Sequence, residues 1–279
     1  MKEIVTLTTE ILLEGLLWPE SPRWHNGKLW FSDMDAHKVM TVDLNGNTET
    51  ILEIPNRTSG LGWLPDGRML LVSMENSRIL RLDPEGVTEH ANLIGLATLN
   101  CNDMVVDEKG RAYVGNMGFD FFSPNPKFTP AEIILVTPEG DTRIAADDMA
   151  FPNGMVITQD GKTLIVAETF ARRITAFNIM DDGSLTERRI WAKLRSIAPD
   201  GICLDAEGAI WSSAPGRHRA VRILEGGKIT HEVKIETDAY ACMLGGPNRD
   251  ILFIATSTAE RVKGRIEYVK VDIPGAGLP

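Results

Sequence analysis

Four side chains define the chemistry open to this sequence: Glu20, Asn102, Asn153 and Asp200. Each stands at the head of a short apolar run that leads into a tight turn. Asn102, Asn153 and Asp200 lie eight residues before the turn glycines Gly110, Gly161 and Gly208, and Glu20 holds the same place before Gly27 with the turn one residue earlier. Ser59, before Gly67, and Cys242, before the P-N-R-D turn at 247–250, complete the series. Two carboxylates, two carboxamides and a hydroxyl brought to one level form an oxygen-lined pocket, the donor set that suits a hard divalent cation. Asn, Asp and Ser before glycine are also ordinary turn formers that satisfy loop backbone groups. Glu20, in W-P-E-S-P-R-W, is not a favoured turn residue and argues for a binding role of the set.

What must bring these residues together is a repeat. The turns recur every 40–51 residues and are each followed by a second apolar run, such as Leu29 to Ser32, Met69 to Ser73 or Ile210 to Ser213. Third runs follow, such as Ile79 to Leu82 and Ile174 to Ile179, closed by turns of the L-N-G-N and P-E-G-D kind. Asx-Gly pairs supply the positive φ of tight hairpins, and no segment keeps a helical apolar period for three turns. A period of this length with several strands per copy predicts an all-β, six-bladed β-propeller of four-stranded antiparallel blades, one domain over 1–279. Inner strands of a propeller ring a central channel, so the four residues are expected at its mouth. The segments 4 to 13 and Ile266 to Ile273 read as strands, the first completing the last blade so that no edge is left open.

Composition narrows the partners. Twenty-nine basic against 39 acidic residues give a net charge of −10, which excludes a nucleic-acid or anionic-membrane surface as the natural reading. The start M-K-E-I-V-T-L-T-T-E alternates and lacks a signal peptide's apolar core, and no run approaches the ~18 residues of a membrane span. Cys101, Cys203 and Cys242 show no metal-ligand spacing and cannot all pair, so a reduced cytoplasmic setting is expected. A monomer or weak homo-oligomer is expected as well.

With these motifs in place (E-S-P-R-W at Glu20, the pair Asn102-Asp103, P-N-G at Pro152 to Gly154, P-D-G-I-C-L-D at Pro199 to Asp205, G-G-P at Gly245 to Pro247), the chain resembles the SMP-30/gluconolactonase/luciferin-regenerating family of regucalcin-like lactonases over nearly its whole length. The resemblance implies one divalent metal held by Glu20, Asn153 and Asp200, with Asn102 meeting substrate or a water. Members similar to regucalcin often carry an Arg two residues before that Asn, where it binds sugar hydroxyls. This chain has Asn100 there, and its substrate need not be a simple aldonolactone.

The expected activity is therefore metal-dependent hydrolysis of a lactone, with Asp200 as both ligand and general base. Ca²⁺ is the first candidate ion, with Zn²⁺, Mn²⁺ and Mg²⁺ as alternatives. No G-x-S-x-G nucleophile motif occurs, and the five histidines form no H-x-x-x-H pair. The longest repeat owes its excess to the segment 116–132, which carries Phe119, Phe121, Phe122 and Phe128. Such a loop either covers the substrate or packs on the neighbouring blade. Asn100, Asn102, Asp120, Phe119, Phe121, Trp18 and Met155 are the expected substrate contacts, and they suggest a lactone with an apolar or aromatic portion. A non-catalytic metal- or ligand-binding propeller, and an aryl-ester or organophosphate hydrolase on the same fold, are the alternatives.

Overall fold

The computed structural model describes residues 4–277, and six sheets account for every strand among them. The architecture is the six-bladed propeller of four-stranded antiparallel blades that the repeat predicts. The inner strands of blades one to six are Pro19–His25, Thr58–Trp63, Cys101–Val106, Pro152–Ile157, Ile202–Leu204 and Asp238–Gly245. Each contacts the next, and the sixth contacts the first, so the ring closes.

The strand sequences follow from where each strand sits. Second strands such as Met69–Ser73, Ala112–Asn116 and Ile210–Ala214 are buried at every residue, because both their faces pack against neighbouring blades. They therefore read as continuous small or apolar runs and not as an alternation. The outer strand Leu185–Lys193, by contrast, exposes most of its length.

Closure is more elaborate than the sequence suggested. The expected single strand over residues 4 to 13 is divided between two blades. Glu10–Leu16 is the outer strand of blade six, antiparallel to Gly264–Lys270, whereas Val5–Thr8 pairs in parallel with Ile229–Lys234 as a fifth strand of blade five. The Thr9 hydroxyl, at the change of sheet, donates to Glu267. Both edges that a flat reading would leave unpaired are thus covered by one short segment.

Glycine has two separate uses here. Gly67 and Gly161 adopt φ of 86° and 69° in the hairpin turns, the left-handed region where a side chain is strained. Gly60, Gly154 and Gly201, one residue after Ser59, Asn153 and Asp200, have no such φ. A Cβ on them would stand 2.5 Å from Met104 N, 2.5 Å from Ile202 N and 2.4 Å from Ala241 Cβ. They let adjacent inner strands approach at the level where the oxygen-bearing side chains emerge.

Candidate functional site

The inner strands deliver Glu20, Asn102 and Asn153 as their second residues, and Asp200 two residues ahead of its shorter strand. In blades one to four the pairing register shifts immediately afterwards. In blades two to four this irregularity takes Ser59, Asn102 and Asn153 out of the ladder, whereas Glu20 stays paired with Ser32 and the shift follows it. All four side chains line one cavity of about 520 Å³, a volume in the range of small-molecule sites.

Three carboxylates meet at its base, and among the described residues only one of them is ion-paired. Asp103 is paired with Arg23 at 2.7 Å, both almost fully buried. Glu20 and Asp200 have no cationic side chain within 4 Å among the described residues. Burial first, then the charges of Asp200 and Asp103, hold the Glu20 carboxyl well above the ordinary range. Burial first, then Asp103, does the same to Asp200, opposed by a hydrogen bond from Asn153.

The carboxamides are oriented by neighbours. Asn153 Nδ2 donates to Thr169 Oγ1 at 3.3 Å, and that hydroxyl in turn donates to Pro199 O at 2.8 Å. Asn153 is left with Oδ1 as its unspent atom. Ser59 Oγ donates to Asn102 Oδ1 at 3.4 Å, so Asn102 offers Nδ2 as a donor.

A divalent cation is the group this donor set suits. Two uncompensated carboxylates carry the charge that one such ion balances, and Asn153 Oδ1 adds a neutral hard oxygen. Among the described residues no three His, Cys, Asp or Glu side chains form a metal-binding group. Asp103 is spent on Arg23, so a cation at Glu20 and Asp200 has to draw on carboxamide oxygen.

The remaining expected residues divide. Trp18, Asn100, Asp120 and Phe121 line the cavity, with Asp120 capping Phe122 N through Oδ1 at 3.0 Å. Phe119 does not line it: its ring packs on Phe128 and Phe170, at centroid distances of 5.4 and 5.0 Å. Met155 is 2% exposed and packed in the core with Val166 and Tyr113, because the register shift sends it to the opposite face of the strand from Asn153. Ser59 is buried beneath the cavity wall, and Cys242 lies with its Sγ 3.9 Å from that of Cys203. All three cysteines are buried and unpaired.

The 116–132 loop combines both readings of it. Phe121 and Phe122 line the cavity, while the loop rests on the neighbouring blade through Phe151 and Phe170. Phe151 and Phe170 line the cavity too, as do Thr169, Tyr240 and Arg261, none of which the sequence reading named. Thr169, Phe170 and Arg261 sit in turns between second and third strands, on the same face as the 116–132 loop; that placement was the available signal.

The model of the SMP-30/Gluconolactonase/LRE-like region matches residues 18–258. Regucalcin from Xenopus laevis is 26% identical over 246 residues, 85% of this chain and 82% of that protein. The pentonolactonase of Haloferax volcanii is 23% identical over 244 residues, 85% of this chain and 81% of its own length. The crystal structure of regucalcin from Agrobacterium tumefaciens, described as a calcium-binding protein, superposes with a TM-score of 0.82 over 99% of both chains at 18% identity. At that identity the superposition speaks for the fold.

Proposed function

The chain belongs to the SMP-30/gluconolactonase/LRE-like family, and on that premise we propose that it is a divalent-cation-dependent lactonase acting on a lactone with an apolar or aromatic portion. The observation that carries the proposal is the pair of cavity carboxylates, Glu20 partly buried and Asp200 buried, with no cationic side chain within 4 Å among the described residues, beside the free Oδ1 of Asn153. These three residues would hold the ion, with Ca²⁺ first among the hard cations they suit. A bound divalent cation supplies Lewis acidity toward a carbonyl oxygen and toward water.

The protein's own groups supply the proton transfers. Asp200 keeps one carboxylate oxygen free to take a proton from the attacking water as the new C–O bond forms at the lactone carbonyl carbon. The same proton passes to the ring oxygen as the ring C–O bond breaks. The product is an open-chain hydroxy acid, which ionises and releases one proton to solvent near neutral pH. Asn102 Nδ2 donates to a substrate oxygen, while Phe121, Phe122, Phe151 and Phe170 exclude water and hold the apolar portion. The proposed setting is a reducing one, in keeping with three buried thiols.

A substrate panel tests this reading by proton release. Phenyl- and alkyl-substituted γ- and δ-lactones are expected to exceed gluconolactone in kcat/KM by about 10-fold or more, since each buried apolar group contributes ~1–3 kcal/mol. A strict preference for gluconolactone would contradict the apolar substrate. Faster turnover of an aryl ester or organophosphate than of any lactone would overturn the reaction class.

A further inference from the structure

The cavity wall is mostly aromatic, but its rim carries two guanidinium groups in different states. Arg57 is engaged: its Nε lies 2.8 Å from Asp35 Oδ1 and 3.8 Å from Glu75 Oε1. Arg261 is not. Its side chain is only 20% exposed, yet its guanidinium makes no hydrogen bond among the described residues. The nearest anionic oxygen is Asp35 Oδ2 at 4.0 Å, on a carboxylate already taken by Arg57. Asp120, the other rim carboxylate, makes no ion pair with it.

Two aromatic rings hold Arg261 in place. Its Cζ sits 3.7 Å from the ring centroid of Trp18 and 4.4 Å from that of Phe122. Guanidinium stacked on ring faces keeps its N–H donors in its own plane, at its edge, where they remain available. Arg261 is partly buried, and donors not spent on protein acceptors are free to meet an acceptor that a ligand brings. The stacking rigidifies the side chain without using those donors, an arrangement suited to receiving a ligand oxyanion. Trp18 is also two residues from Glu20, so the clamp is built into the strand lead-in that delivers a proposed ion ligand.

We propose that Arg261, clamped between Trp18 and Phe122, is a specificity-determining residue that binds a carboxylate on the substrate's apolar portion, remote from the ring that opens. The substrate class is then an aryl or alkyl lactone carrying a free acid. This rests on the lactonase reading for the word substrate, while the carboxylate site itself does not depend on turnover. Charge is consistent with it: a divalent cation would balance Glu20 and Asp200, Asp35 and Glu75 lie closest to Arg57, and Arg261, with its nearest anionic oxygen at 4.0 Å, is the rim cation best able to meet an incoming anion.

Two measurements separate the claims. In the first, a para-carboxyphenyl γ-butyrolactone is compared with its carboxamide in wild type, Arg261→Gln and Arg261→Lys. Wild type is expected to favour the acid by about 10- to 100-fold in kcat/KM, the effect lying mainly in KM, as for a charge-assisted hydrogen bond remote from the reacting atoms. Arg261→Gln should bring the ratio close to one, and Arg261→Lys should keep part of it. In the second, phenylbutyrate and phenylbutyramide are titrated calorimetrically into the same three proteins, with no turnover involved. The same ordering of affinities is expected. If neither lactone is hydrolysed but phenylbutyrate binding depends on Arg261, the carboxylate site stands and the lactonase reading falls. If wild type treats acid and amide alike, or Arg261→Gln leaves the preference intact, the proposal is overturned.

Discussion

Asp200→Asn is expected to lower lactone turnover by about 10³-fold or more, the scale of losing a general base together with the electrostatic stabilisation that its charge supports. The same substitution should weaken divalent-cation binding, because the carboxylate serves both roles. It should nevertheless make the cation-free protein more stable near neutral pH. Burial and the Asp103 charge raise the Asp200 carboxyl above its ordinary value, and burial with Asp200 and Asp103 raises Glu20. A folded state with raised carboxyl pKa values binds more protons than the unfolded chain. Wild-type stability without cation therefore falls as pH climbs from ~4, the unfolded carboxylate value, through the raised folded values. Removing one of the two charges should flatten that fall. Thermal melts of chelator-treated wild type and variant across pH, alongside initial rates, check all three effects. Near-normal hydrolysis by the variant would remove Asp200 from its role, and a melting temperature lowered at neutral pH would contradict the electrostatic account.

Arg23→Met is the largest expected loss of stability. Arg23 Nε donates to Leu61 O at 3.2 Å, Nη1 to Pro22 O at 2.9 Å, and Nη2 to both Met104 O and Asp103 Oδ1 at 2.7 Å. One guanidinium thus joins the inner strands of blades one, two and three. It also neutralises the third carboxylate, Asp103, beneath the proposed ion site. Methionine fills similar volume but leaves Asp103 charged and buried, beside Glu20 and Asp200. Breaking such a pair costs about 3–5 kcal/mol, which for a chain of this size lowers Tm by roughly 5–9 °C. Adding Asp103→Leu should recover part of the loss, since the unpaired charge goes with it. A single-variant cost below about 1 kcal/mol in denaturant unfolding would show that the pair is not what ties the three strands.

The repeat makes most of the architecture legible in the sequence. Turn glycines set the register, and the second-strand runs at Met69 to Ser73 and Ile210 to Ser213 match the strands Met69–Ser73 and Ile210–Ala214 closely. The same register named the four oxygen-bearing side chains that the cavity gathers. Beyond this, local patterns misled in identifiable ways. Asn153 and Asp200 before glycine fit ordinary turn formers, but the glycines that follow, Gly154 and Gly201, serve the close approach of neighbouring strands through their lack of a Cβ. Met155 is expected in an apolar substrate pocket, whereas the register shift after Asn153 sends it into the core. Residues 4 to 13 alternate as one strand should, and nothing local marks Thr9 as the point where the chain passes between blades.

The charge balance of the site was illegible for a different reason. Arg23 lies within the E-S-P-R-W motif and Asp103 follows Asn102, but their pairing spans 80 residues and exists only because the Arg23 side chain reaches past the inner strand of blade two to that of blade three. Arg261 likewise gains its meaning from Trp18 and Phe122, which come from opposite parts of the chain. Pairwise electrostatics between blades is a tertiary property, and a register argument reaches position without reaching partners.

The central claim is that Glu20, Asn153 and Asp200 hold a divalent cation without which no lactone is opened. Its most direct test is proton release from a phenyl-substituted γ-butyrolactone by protein stripped of divalent cations with a chelator, followed by return of Ca²⁺, Mn²⁺, Mg²⁺ or Zn²⁺. The account predicts that stripping reduces the rate to the uncatalysed background, and that at least one of these ions restores it, saturating at one equivalent in wild type and failing to do so in Glu20→Gln. Undiminished hydrolysis by the stripped protein, or full restoration in Glu20→Gln, would contradict it.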